Sequence, residues 1–241
     1  MVIPLGAAYR NLSGVQKPVK GISFYSRYVN RPLGRVFAAV AAATGLSPNG
    51  VTVSSAVVTA GAAVAIATLP PSLFSGILIA LLIVLGFALD AADGQLARLT
   101  GRGSPAGEWL DHVVDTGKAV FLHTAVVIAA FRHFEIDLLW LLVPFGYQAV
   151  VVVMQAGGTL REVLGRIYAA APQPVGPYRW SATGLLVADS GVFGLAFLTW
   201  PWPQLFVVVY TALFAGNVLI GGLLLTKWMK ELTLAAAKAK L

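Results

Sequence analysis

Four aspartates, Asp90, Asp93, Asp111 and Asp115, stand in the segment LDAADGQLARLTGRGSPAGEWLDHVVDT at residues 89–116, together with Glu108. The chain has ten acidic residues among 241, and five of them fall in this window. At roughly 100° per residue, Asp90, Asp93, Gly94 and Ala97 share one side of a helix. Gly107, Asp111 and Asp115 follow at i, i+4 and i+8, on one face of a second helix. Carboxylates gathered in a low-dielectric site repel one another unless a cation balances them. All-oxygen ligands favour Mg2+ or Mn2+ over softer metals. Two such ions bridged by carboxylates would clamp a pyrophosphate and assist displacement at phosphorus. Gly94 and Ala97 leave room for a substrate to approach the backbone, and Arg98 is placed to meet a phosphate or a nucleotide base edge. Any one of these aspartates alone could be a solvated charge at a helix end. Four at matched spacing between apolar runs point to function.

The elements that must hold them are membrane helices. Hydrophobic residues make up 58% of the chain and charged ones 11%, with mean hydropathy +0.79, a composition that excludes a soluble domain. There is no cysteine, so disulfides, thiolate metal sites and cysteine nucleophiles are excluded. The first residues lack the basic start and long apolar core of a cleaved signal, and the sequence is expected to be mature. Six spans are expected, at about 51–69, 72–97, 106–131, 138–158, 182–200 and 203–226. Pro70-Pro71 and the WPWP run at 200–203 separate neighbouring helices as tight turns.

Charge tests that division. With six spans, one side collects Arg10, Lys17, Lys20, Arg27, Arg31 and Arg35, then Arg98 and Arg102, then Arg161, Arg166 and Arg179, and lastly Lys227, Lys230, Lys238 and Lys240. Only Arg132 falls on the other side, and Lys118 lies within a helix. The positive-inside rule puts both termini and the aspartates in the cytoplasm. The net charge of +7 therefore reads as topology and attraction to anionic headgroups, not as nucleic-acid binding. Residues 21–45 mix aromatics, spaced arginines and a short apolar run, as an interfacial amphipathic helix would. The expected organisation is all-α: a cytoplasmic or interfacial segment at 1–45, a six-helix transmembrane domain at 46–230 and a short helical tail at 231–241.

The aspartate run resembles the signature of the CDP-alcohol phosphotransferase family, D-x2-D-G-x2-A-R-x8-G-x3-D-x3-D. Asp90, Asp93, Gly94, Ala97, Arg98, Gly107, Asp111 and Asp115 match it without departure. SPNGVT at 47–52 is similar to the Pro-Asn-x-x-Thr segment that opens the first helix of many members, and the expected fold is similar too. The resemblance implies cleavage of a CDP-linked alcohol, release of CMP and transfer of the phosphoryl-alcohol to a hydroxyl acceptor. It implies that Asp90, Asp93 and Asp111 bind a metal pair, with Asp115 at its edge. Asp115 would also be the general base, and Gly94, Ala97 and Arg98 would line the cytidine and phosphate pocket. A base within reach of the attacking hydroxyl is what such chemistry needs. Many relatives are homodimers, which leaves a homodimer as an option here.

Further residues carry weaker signals. Lys118 reads either as a phosphate contact or as the ion-pair partner of a neighbouring aspartate. Arg161, Arg166 and Arg179, near Tyr168 and Tyr178, could hold an anionic acceptor or merely set topology. His112 points away from Asp111 and suits a supporting role, while His123 suits packing and His133 the outer surface. Asp189 calls for a structural partner such as a helix hydroxyl, and Trp200 and Trp202 for an interfacial belt. Membrane prenyltransferases also bind diphosphates through aspartates, but with two separate motifs and more spans. An ion or proton transporter would spread its acids over several helices. Within the resembled family, the donor is either CDP-diacylglycerol, with a small-alcohol acceptor, or a CDP-linked small alcohol, with a lipid acceptor. GEWLDHVVD leans to the second branch. The small size and the Ala/Val-rich, bacterial-looking composition lean to the first, which is preferred, with a bacterial plasma membrane as the location.

Overall fold

A computed structural model of the chain describes residues 2–16, 23–167 and 186–238. Within them the chain is helical: α1 (Leu5–Asn11), a π-helical turn (Ser26–Asn30), α2 (Arg31–Thr44), α3 (Pro48–Thr68), α4 (Leu73–Thr100), α5 (Pro105–His133), α6 (Leu142–Ile167), α7 (Ser190–Ala196) and α8 (Pro203–Lys238). Single 3-10 turns precede α6 and flank α7. Five helices are long and apolar enough to cross a membrane, and a shorter apolar helix covers Ser190–Thr199. That short helix is the described part of the fifth expected span. Arg179, Tyr168, Tyr178, Lys17 and Lys20 lie outside the described residues. The expected helical tail is the end of α8, which runs on to Lys238.

Helix ends follow local chemistry. Ser47 and Ser104 each precede a proline at the first helical position, and their hydroxyls accept from the Gly50 and Gly107 amides at 3.0 and 3.1 Å. Ser72 and Ser75 form a reciprocal capping box that starts α4. Gly101, at φ 65°, closes α4 in the left-handed conformation that glycine adopts without a Cβ penalty. Four residues, 101–104, then suffice to reverse the chain into α5.

The short connection suggests that α4 and α5 pack side by side. They do not: α3 is the main partner of both, and α4 and α5 splay apart on either side of it. The α3–α4 approach is close because Gly86 has no side chain; a Cβ there would lie 2.2 Å from Thr59 Oγ1. Ser55 Oγ, at 2.8 Å, donates to the Gly86 carbonyl in the same contact. α2 lies on the other side of α4, where Gly34 meets Ala91 and Gln95. The N-terminal segment is fastened by Ile3 N to the Ala42 carbonyl and by Arg35, which donates to the Tyr9 carbonyl.

The main core joins α3, α4 and α5 to an aromatic group from α6, α7 and α8. Trp200 belongs to that core: it is fully buried against Phe134, Phe197 and Phe206, which corrects the expected belt position. Trp202 is 57% exposed, as a belt residue would be. Asp189 has the hydroxyl partners expected of it. It caps α7, accepting from Gly191 N at 2.9 Å and from the hydroxyls of Ser23 and Ser26 in the N-terminal segment. Burial, and then the Asp189 charge, push the neighbouring Tyr25 hydroxyl above its ordinary pKa.

Candidate active site

The gap between the splayed ends of α4 and α5 is floored by the start of α3. Asp90 and Asp93 reach it from α4 and Asp111 from α5, and one carboxylate oxygen of each lies within 4.8 Å of the others. Ligands around one octahedral Mg2+ sit about 3 to 4.2 Å apart, so this all-oxygen group fits a small divalent cation with little rearrangement. Asp93 is 6% exposed, and its Oδ2 accepts from Thr52 Oγ1 at 2.6 Å. Thr52 comes from SPNGVT, whose Asn49 packs against Gly107: a Cβ on that glycine would lie 2.9 Å from Asn49 Oδ1. The opening of α3 thus holds Asp93 of α4 and touches the first turn of α5.

Asp115 lies one turn further along α5 and joins the group through Lys118. The Lys118 ammonium, with a side chain 2% exposed, bridges Asp90 and Asp115, the latter at 3.0 Å. Of the two sequence readings of Lys118, the structure displays the ion pair. One buried ammonium contacts two of the four carboxylates here, and a divalent cation would offset most of the charge that remains.

A cleft of roughly 630 Å3 opens beside the three-aspartate group. Asp93, Gly94, Ala97 and Arg98 line it from α4, Gly107, Asp111 and His112 from α5, and Asn49 and Thr52 from α3. Arg98 is anchored there by a 2.9 Å bond from its Nε to the Val15 carbonyl. His112 leans toward α6, with Nδ1 3.4 Å from Thr159 Oγ1. The other described candidates, Arg161 and Arg166, pair with acids outside the aspartate group. Arg161 pairs with Glu231 of α8, at 2.6 Å, and Arg166 pairs with Glu108 and Glu162. His123 is packed, its Nδ1 2.5 Å from the Tyr210 hydroxyl.

A second cavity, of roughly 110 Å3, lies deeper between α5, α6, α7 and α8. Asp115 and Phe87 border it, followed by Ala119, Leu122 and His123 along α5. Its polar members, Gln155, Asp189, Ser190 and Asn217, were not singled out as a group by sequence. The available signal is their polarity: Gln155 and Asn217 are amides inside apolar helices.

A stretch of 66 residues is 44% identical to archaetidylinositol phosphate synthase from Aeropyrum pernix, covering 27% of this chain. The match spans 34% of that relative, about a third of its length. The sequence profile of the CDP-alcohol phosphatidyltransferase family matches residues 45–228, from just before the Ser47 cap to near the end of α8. With its aspartates brought together as that signature implies, the chain belongs to the CDP-alcohol phosphatidyltransferase family.

Proposed function

We propose that the protein transfers a phosphoryl-alcohol from a CDP-alcohol to a hydroxyl acceptor, releasing CMP, in phospholipid head-group synthesis. The observation that carries this reading is the convergence of Asp90, Asp93 and Asp111 at the wall of a cleft large enough for a nucleotide diphosphate. The three carboxylates would hold the divalent cation, Mg2+ or Mn2+. When bound, the cation would neutralise the diphosphate and stabilise the departing CMP. Gly94 and Ala97 present a small-residue wall for the cytidine, and Arg98 faces its phosphates. Asp115 takes the acceptor's proton as its oxygen attacks phosphorus. Lys118 holds Asp115 in place and tempers the charge between it and Asp90.

CDP-diacylglycerol is the donor we favour, because the cleft opens at the end of a bundle built of membrane-length apolar helices. A relative named as an archaetidylinositol phosphate synthase also supports head-group transfer. The test is CMP release by the purified chain with Mg2+ and CDP-diacylglycerol, against a panel of alcohols. Asp115→Asn should lower the acceptor-dependent rate by roughly 10^2- to 10^4-fold while retaining the folded state. A variant as active as the parent would remove Asp115 from the chemistry.

A further inference from the structure

The deeper cavity bears on the class of acceptor. It begins at Asp115 and continues into the bundle, away from the Asp93 and Asp111 cleft. Its carboxylates are Asp115 and Asp189, and among the described residues no lysine or arginine lines it. The cations that α5 and α6 carry toward this end are already held by acids: Lys118 by Asp90 and Asp115, Arg161 by Glu231, Arg166 by Glu108 and Glu162. Neutral polar groups make up the rest of the polar lining. The Asn217 amide donates to the Tyr147 hydroxyl at 2.8 Å and to the Val187 carbonyl at 2.6 Å. The Gln155 amide borders the same space and makes no hydrogen bond among the described residues.

We infer that this cavity receives the hydroxyl-bearing end of the acceptor, that the acceptor is an uncharged alcohol, and that Gln155 selects it. The inference rests on the transferase reading above. A phosphate placed here would lose its hydration in a low-dielectric space and face two carboxylates, with Lys118 already shared between Asp115 and Asp90 and no lysine or arginine among the described residues that line the cavity. A neutral hydroxyl group meets the opposite situation: an amide with open hydrogen-bonding capacity, and a carboxylate at the entrance to take its proton. In the step itself the acceptor O–H proton passes to Asp115 and the acceptor oxygen bonds to phosphorus. The P–O bond to CMP breaks, and CMP leaves with the electron pair. A cavity of this size admits the end of a small polyol or the glycerol end of a lipid alcohol.

The experiment pairs each alcohol with its phosphate ester. CMP release by the full chain in detergent with Mg2+ is measured for myo-inositol and glycerol, for their monophosphates, and for diacylglycerol. CDP-diacylglycerol and CDP-glycerol serve as alternative donors. The uncharged members should exceed their phosphate esters in kcat/KM by at least about tenfold. Stimulation by the soluble polyols or by diacylglycerol identifies the source of the hydroxyl. Gln155→Leu should raise the acceptor KM several-fold without moving the donor KM, and Gln155→Arg should shift preference toward the phosphate esters. Faster release with the phosphate esters, or an acceptor KM unmoved in Gln155→Leu, overturns the inference and leaves the transferase reading standing. No acceptor-dependent release with either donor overturns the transferase reading itself.

Discussion

Thr52→Val replaces the hydroxyl that holds Asp93 with a methyl of nearly the same shape. The Thr52 hydroxyl has a single proton and two acceptors in range, the Asp93 Oδ2 at 2.6 Å and the Pro48 carbonyl at 3.2 Å. The shorter bond to the carboxylate takes the proton. Both side chains are nearly closed to solvent, Thr52 at 3% and Asp93 at 6%, so water cannot easily substitute for the lost donor. A hydrogen bond to a charged group of this kind contributes about 1.5–3 kcal/mol. Converted at about 1.4 kcal/mol per decade, that is roughly one to two decades in the affinity of whatever depends on Asp93 being held. Loss of a group that orients a metal ligand costs about the same, 10- to 100-fold.

The measurement is Mn2+ binding by electron paramagnetic resonance, or Mg2+ binding by calorimetry, on the detergent-purified chain without substrate. Thr52→Val should weaken the cation by roughly 10- to 100-fold, and Thr52→Ser, which restores the hydroxyl, should recover most of it. Activity at saturating Mg2+ should return toward the parent, because the loss lies in binding and not in the chemical step. Unchanged cation affinity in Thr52→Val would refute the reasoning at its root: either Asp93 is not a ligand, or its orientation is set by the helix alone.

Other perturbations test neighbouring parts of the same arrangement. Lys118→Met leaves Asp90 and Asp115 facing each other without their ammonium, a loss of about 3–5 kcal/mol for a buried pair stripped of one partner; thermal unfolding should show a large drop in chelator and a smaller one in Mg2+. Gly86→Ala would force a Cβ to within 2.2 Å of Thr59 Oγ1 and part α3 from α4. It should cost about 1–3 kcal/mol in denaturant unfolding, and it should weaken cation binding because Thr52 and Asp93 ride on those two helices. Gly191→Ala meets the Tyr25 ring at 1.7 Å; the N-terminal segment should leave α7, seen as faster proteolysis or amide exchange around residues 23–30.

The site was more legible in the sequence than the packing around it. Asp90, Asp93 and Asp111 are brought together by helical period and one tight reversal, both local properties that spacing reports. The caps at Ser47 and Ser104 are local as well, although they emerge here from the structure. Partnership between helices is not local. A four-residue connection suggested that α4 and α5 touch, whereas Gly86 lets α3 approach α4 so closely that α3 occupies the intervening position. Trp200 was misplaced for the same reason: an aromatic next to a turn has the same sequence context whether exposed or buried. Thr52 stood in a recognised segment, yet its task depends on a residue 41 positions away.

On the proposed transferase reading, the splaying of α4 and α5 would give the reaction its direction. Along α4, Asp93, Gly94 and Ala97 face the nucleotide-sized cleft, while Phe87, two turns earlier, faces the deeper cavity. Along α5, Gly107, Glu108 and Asp111 face the cleft, while Asp115, Ala119 and Leu122 face the cavity. Asp90 and Lys118 stand where the two registers cross. Side-by-side packing of α4 and α5 would have closed both spaces. With α3 holding them apart, the donor's diphosphate and the acceptor's hydroxyl can approach from opposite sides of one row of charges. In-line displacement at phosphorus requires that attacking and leaving oxygens lie on opposite sides of the reacting atom. The spacing of the signature therefore does more than collect ligands. On the proposed reading, the one turn between Asp111 and Asp115 would separate the acid that faces the donor from the acid that faces the acceptor.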